Sequence, residues 1–528
     1  MAKKVSSKNM AVRRHEDASS SKKPHRHKHP ASFAFGLSSK TPAKLTGVVV
    51  CISIVSLLLL QKSDFIKTLT ANETAYEGED DLSNVDLHLG GWRPADDDVM
   101  QKYGSAVCSI ERVSVNDLTP ERFEAEYRFK KPVLVTFPRG ARDWTDPVKW
   151  SRQSLVKAYG SWSIRQGQPL EIVRAGGNAK HSSSFVEFVD KLINHSNGSS
   201  QQMHYGFDRQ FYWDTELPKT LRLPEYFKVN NTDDDSIFFL GGSLSGVVFH
   251  KHSDTWNGVV YGKKRWFLYP VSKTPPGGVH HGFNLLDWVN HVYPNLEEGD
   301  KPIECIQEGG EILYLPEGTY HATLNLGDTI ALAIQKHQAS IEPERLSYEA
   351  TRLINVLQDG EHDQESRDSI NKRLRDVYMK WQELLPENAE VAHKLGTVLY
   401  DLGHYVDAIP LHMKAIKLDP YFVFAYIHFA RALAKVKEYE KADITFQKAI
   451  EISPNLWDNY KEYGEFLLNV GKHEEALPIY KKGTELMPDL IPFWHYYKYC
   501  QQQVGDTEGA EESEKVMVML RKKKELNN

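Results

Sequence analysis

The sequence predicts a multidomain chain: a β-rich sandwich or barrel, then an all-α repeat solenoid, with a transmembrane helix ahead of both. Three observations predict it. An uncharged run covers Leu45 to Gln61, short strand-like segments fill Cys108 to about Lys336, and a thirty-four-residue periodicity begins at Pro386. A chain of 528 residues, 41% apolar and 26% charged, is too long for one domain and ordinary in composition for folded material. The expected divisions are a basic tail at 1–44, an anchor at 45–61, a linker at 62–107, the β domain at 108–337, linking helices at 338–385 and repeats at 386–524.

The tail "MAKKVSSKNMAVRRHEDASSSKKPHRHKHP" has too few apolar residues to fold, and its "HRHKHP" run reads as a solvated basic end. The run "LTGVVVCISIVSLLLLQ" is long enough to cross a bilayer. Lys22, Lys23, Arg26, Lys28, Lys40 and Lys44 precede it and only Lys62 and Lys67 follow closely, which orients the tail to the cytosol and everything after it to a lumen. The expectation is a type II signal anchor of the endoplasmic reticulum or Golgi. Acceptor sequons at Asn72, Asn194, Asn197 and Asn230 agree with that compartment. Beyond Cys51, three cysteines remain, and Cys108 with Cys305 admits either one bridge or two free thiols. The formal net charge of −6 argues against a nucleic-acid-binding body.

In the C-terminal part, Pro386, Pro420, Pro454 and Pro488 stand thirty-four residues apart. Ala408, Ala442, Ala476 and Ala510 keep the same step, as do Gly396, Ala430 and Gly464, and Ala415, Ala449 and Gly483. Small residues let paired helices approach closely, and proline ends the second helix of each pair. The pattern resembles tetratricopeptide repeats, three whole units and a less regular fourth, which implies a surface for a protein or peptide partner. The preceding "IEPERLSYEATRLINVLQ" and its continuation show helical spacing.

The β-rich part contains "KPVLVTF", "SIFFLGG", "GVVFHKH", "NGVVYG", "RWFLYP", "GEILYLP" and "TIALAIQK", with helical "TPERFEAEYR" and "SSFVEFVDKLIN" beside them. In "GVVFHKHSD" the residues His250, His252 and Asp254 alternate, so an extended chain would point all of them to one face. Alternation leaves two ligand pairs open, His250 with His252 or His252 with Asp254. A facial mononuclear iron centre needs a third ligand from a distant strand, and His321 in "GGEILYLPEGTYHATLNLGDTIALA" offers it.

Together, "GVVFHKHSDTWNGVVYGKKRWFLYP" and "GGEILYLPEGTYHATLNLGDTIALA" resemble the JmjC family of cupin-type jelly-roll oxygenases. The resemblance implies a double-stranded β-helix that uses Fe(II) and 2-oxoglutarate. It places the metal ligands on His250, His252 and His321, with His252 where most active members carry a carboxylate and Asp254 as an alternative carboxylate. It places the 2-oxoglutarate lysine on Lys264, with Asn257 and Asn325 as further cofactor-site residues. Val247 stands where a threonine hydroxyl is frequent. The implied function is hydroxylation of a protein side chain by a lumenal, membrane-anchored enzyme. The alternative, motivated by His252 and Val247, is an inactive JmjC scaffold of the secretory pathway.

Overall fold

The computed structural model describes residues 89–526 apart from 106–107, 175–176, 178, 180, 195–204, 229–233, 279–281, 337–338 and 360–361. The tail, the anchor at 45–61, Asn72, Asn197 and Asn230 lie outside the described residues, and Asn194 ends the helix Phe185–Asn194. Among the described residues, no helix is long and apolar enough to cross a membrane.

A β-sheet domain precedes a helical region. Its strands are β1 (Arg112–Ser114), β2 (Val133–Thr136), β3 (Ser163–Gly167), β4 (His181–Ser184), β5 (Tyr205–Asp208), β6 (Asp234–Gly241), β7 (Gly246–His250), β8 (Thr255–Tyr269), β9 (Ile303–Glu308), β10 (Ile312–Leu315) and β11 (Tyr320–Lys336). They run in the order β1-β2-β10-β8-β11-β6-β5-β3-β4, with β7 added to β11 and β9 to β8. The long strands β8 and β11 pair with each other, and each changes its second neighbour halfway along. β8 pairs with β10 through Thr255–Gly258 and with β9 through Lys263–Leu268; β11 pairs with β7 through His321–Leu324 and with β6 through Thr329–Lys336.

The change of partner falls where both strands bend. Gly262 and Gly327 have φ of +89° and +86°, and the ladder is irregular between Leu326 and Ile330. A Cβ at Gly262 would sit 2.3 Å from the Asp328 carbonyl oxygen, so both the backbone region and the space call for glycine there. This corrects the division of "NGVVYG" from "RWFLYP": the glycine bends one strand instead of ending it, and "TIALAIQK" is likewise the second half of β11. One side of the sheet is filled by an aromatic-rich core that includes Trp144, Trp150, Phe185, Phe211 and Phe238, all buried. A disulfide joins Cys108, ahead of β1, to Cys305 in β9.

The helical region comprises α1 (Glu342–Asp359), α2 (Gln364–Leu384), α3 (Ala389–Asp401), α4 (Tyr405–Leu418), α5 (Val423–Lys435), α6 (Tyr439–Ile452), α7 (Trp457–Asn469), α8 (His473–Leu486), α9 (Ile491–Gln503) and α10 (Thr507–Leu526). Each periodic proline stands just past α2, α4, α6 or α8, where a missing N–H costs nothing. The small residues lie at helix contacts: a Cβ on Gly464 would come within 2.6 Å of the Tyr480 ring, and one on Gly483 within 2.2 Å of Phe493. The pair α1 and α2 packs on α3 through Leu374, Trp381, Val391 and Leu395, so it forms a first layer of the array.

Turns of the array meet the sheet domain. Asn388 Nδ2 donates to the Val271 carbonyl at 3.4 Å, the Asp419 carboxylate accepts from Gly277 N at 2.9 Å, and Ser453 Oγ donates to the Gly282 carbonyl at 2.7 Å. The first repeats are therefore held at Val271, Gly277 and Gly282.

Gly483→Ala tests the close approach. In an open helix this change gains about 1 kcal/mol, whereas overpacking against the Phe493 ring should cost about 1–3 kcal/mol, read as a fall in melting temperature.

Candidate metal centre

The two ends of the centre meet through strand pairing. His250 is the last residue of β7 and its cross-strand partner is His321 of β11, which brings their ring centroids to 4.2 Å despite the long sequence separation. His252 follows the strand end and stands 5.5 Å from the His250 ring and 4.7 Å from that of His321. One ligand nitrogen from each of the three lies within 4.8 Å of the others.

Hydrogen bonding sets which nitrogen is available. Nδ1 of His250 meets the Val248 carbonyl at 2.8 Å, Nδ1 of His252 the Ser253 carbonyl at 2.8 Å, and Nδ1 of His321 the Thr319 carbonyl at 2.9 Å. A carbonyl only accepts, so Nδ1 carries the proton in each ring and Nε2 keeps its lone pair. That is the tautomer a metal requires, oriented by backbone. Burial then disfavours protonation: it lowers all three imidazoles, His321 far below the usual histidine range and His252 to about 3, with the neighbouring imidazoles adding to the effect.

The strand stops at His250, and residues 251–254 turn away, so the premise of an extended Gly246–Asp254 is corrected. Asp254 leaves the centre as a result. It is buried and its carboxylate accepts from Arg128 Nη1 at 3.2 Å, outside the three-histidine group. The ligand set that the fold assembles is three neutral imidazoles with no carboxylate among them.

A cavity of about 570 Å³ joins this group to a second set of side chains, including Tyr205, Val247, Asn257, Lys264 and Thr323. Lys264 is 2% exposed, and its Nζ donates to Tyr205 Oη at 3.1 Å and to Asn325 Oδ1 at 3.0 Å. Both partners are neutral, so burial lowers this amine to about 7. Asn325, the ladder partner of Lys264, is fully buried and donates its amide to Ser245 Oγ at 3.1 Å, which makes it an orienting residue. Asn257 lines the cavity and its Oδ1 is buried with no hydrogen-bond partner.

Two contributors were not apparent in the sequence. Tyr205 lies on β5, a strand too short and irregular in pattern to be recognised. Thr323 is the ladder partner of Val247 and accepts from its N–H at 3.2 Å, which places a hydroxyl in the cavity across from the valine. Only strand register could reveal that substitution of one position by its neighbour.

The donor set suits Fe(II), and equally zinc, since imidazole serves both. The buried Lys264 amine, with the Tyr205 hydroxyl beside it, suits a carboxylate.

The site lies in a part of the chain that a known family matches. The Cupin-like domain family matches residues 120–335, which contain all three histidines and Lys264, and the Tetratricopeptide repeat family matches residues 425–456. JmjC domain-containing protein 8 of Homo sapiens is 31% identical over 253 residues, 46% of this chain and 89% of that protein. Arginine-specific demethylase JMJ22 of Arabidopsis thaliana is 26% identical over 350 residues, 61% of this chain and 65% of the relative. The 2-oxoglutarate and iron-dependent oxygenase JMJD4 of Gallus gallus is 32% identical over 119 residues, 21% of this chain and 28% of the relative. A β-sheet site built from three histidines, matched by a relative along nearly its whole length, carries the conclusion that this chain belongs to the JmjC family of cupin-like proteins, with tetratricopeptide repeats after the cupin domain.

Proposed function

We propose that the protein is an Fe(II)- and 2-oxoglutarate-dependent oxygenase that hydroxylates a protein side chain, its cupin domain a jelly-roll double-stranded β-helix. The observation that carries this reading is the convergence of three histidines, one ring nitrogen from each within 4.8 Å of the others, on a cavity that also contains a buried lysine paired with neutral groups. His250, His252 and His321 would hold the metal and Lys264 the distal carboxylate of 2-oxoglutarate. Bound Fe(II) and 2-oxoglutarate would supply oxidative decarboxylation coupled to oxygen insertion into a C–H bond. The chain's own residues do the placing: Nδ1–H bonds aim the imidazoles, Asn325 and Tyr205 aim the lysine, and the buried rings of Phe239 and Trp266 line the cavity.

The repeats support binding of a protein or peptide partner. The run at 45–61, the basic residues before it and the four sequons support a single-pass type II protein of the endoplasmic reticulum or Golgi with its domains in the lumen.

Anaerobic titration of the purified protein with Fe(II) and 2-oxoglutarate should produce a visible metal-to-cosubstrate charge-transfer band. His250→Ala should abolish it, and Lys264→Ala should weaken 2-oxoglutarate binding by roughly 2–3 kcal/mol, the worth of a charge-assisted hydrogen bond. Retained zinc with no band would support the alternative, an inactive scaffold.

The amine at about 7 also sets a pH dependence. Below pH 7 it is already charged and 2-oxoglutarate affinity should be flat. Above pH 7 binding must first protonate the amine, so affinity should fall about tenfold per unit, measurable by the same titration.

In sealed microsomes, added protease should spare the cupin and repeat domains until detergent is present. Digestion without detergent would overturn the lumenal assignment.

A further inference from the structure

The two segments that bring the metal-centre histidines are each fastened to the helical region, beside the ligand itself. Lys251 lies between His250 and His252. Its ammonium pairs with Glu344 of α1, and both side chains are 9% exposed. The same ammonium lies 5.0 Å from the Trp381 ring of α2 and 5.6 Å from that of Tyr320, so aromatic faces from both domains surround it.

On the other segment, Tyr320 immediately precedes His321. Its hydroxyl donates to Glu390 Oε2 of α3 at 2.7 Å, and Glu390 is held in turn by Lys394 Nζ at 2.7 Å. Upstream, the buried Glu317 carboxylate accepts from the backbone N–H groups of Ser340 at 2.8 Å and Ile341 at 3.2 Å, tying the turn before β11 to the start of α1. Within the cupin domain, Gly318 N–H donates to the His252 carbonyl at 3.0 Å, which links the two segments to each other. Ser347 and Thr351 of α1 and Glu390 and Lys394 of α3 complete one wall of the cavity.

This arrangement has a physical consequence. After His250 the chain has left the β ladder, so strand hydrogen bonds no longer determine where the His252 ring stands. The Gly318 contact to its carbonyl, the Nδ1 bond to Ser253 and the buried ion pair of the preceding Lys251 hold it instead. Such a pair is a weak source of net stability, because desolvation offsets its attraction, but it is strongly directional when both charges are buried and bonded. We propose that the helical region is a structural component of the metal centre, with Lys251 and Tyr320 as positioning residues held by Glu344 and Glu390. The role of the helices α1 to α3 is then to set ligand geometry, in addition to any partner that the later repeats bind. This inference rests on the metal-centre reading of the three histidines.

The test uses the full chain, loaded with Co(II) as a spectroscopic probe. Two nearly isosteric variants remove one tie each: Glu344→Gln weakens the hold on Lys251, and Tyr320→Phe deletes the hydroxyl that reaches Glu390. Each should lower Co(II) affinity roughly tenfold, the lower end of what outer-shell groups contribute. Each should also change the intensity of the visible Co(II) bands at saturation, which report ligand geometry and which a merely stabilising contact would leave as they are. Thermal unfolding of the metal-free proteins separates loss of fold from loss of geometry. Should Glu344→Gln fail to fold, Tyr320→Phe decides alone. Unaltered affinity and spectrum in the folded variants would overturn the inference while leaving the metal centre standing. No Co(II) binding by the unchanged protein would remove the metal-centre reading, and the inference with it.

Discussion

The site depends on one ladder, the pairing of β7 with β11. It sets His250 opposite His321 and Val247 opposite Thr323, with a shift of register between the two pairs, so two of the three histidines and a cavity hydroxyl come from one strand pair. A one-residue slip would send these side chains to the other face. Gly246 permits the pairing, because a Cβ there would lie 1.7 Å from the Thr323 carbonyl oxygen. β11 in turn lies against β8, which carries Lys264 and Asn257, and the bend at Gly262 lets one strand serve two sets of neighbours.

Charge balance at the site follows from the ligand types. Three neutral imidazoles bring no negative charge, and the nearest buried carboxylate in sequence, Asp254, is already engaged by Arg128. A divalent cation here keeps its whole charge, and Lys264 adds another cationic group when protonated. A site of that charge favours an anionic ligand, and a dicarboxylate would cancel two of the three positive charges.

The helical array has two aspects. Its turns at Asn388, Asp419 and Ser453 hold Val271, Gly277 and Gly282, and its first helices reach the histidine segments through Glu344 and Glu390. The helical region therefore does more than extend from the cupin domain: it supplies part of the cavity wall.

The sequence by itself determined the repeat, because close helix packing writes small residues and prolines at a fixed period. It also determined the two histidine segments, whose β-rich flanks and spacing were readable directly. Long-range pairing was not readable. The strands β1, β3, β4 and β5 are short and lack alternation, so Tyr205 went unseen, and a glycine that bends a strand looks in sequence like one that ends it. Asp254 looked equivalent to the histidines because alternation holds only while the chain stays extended. The separation of Asp254 from the three histidines, the place of the Thr323 hydroxyl and the fastening of Lys251 and Tyr320 to the helices were decided by tertiary structure alone. Each depends on residues far apart in the chain meeting across a register or a domain contact, and no local pattern encodes such a meeting.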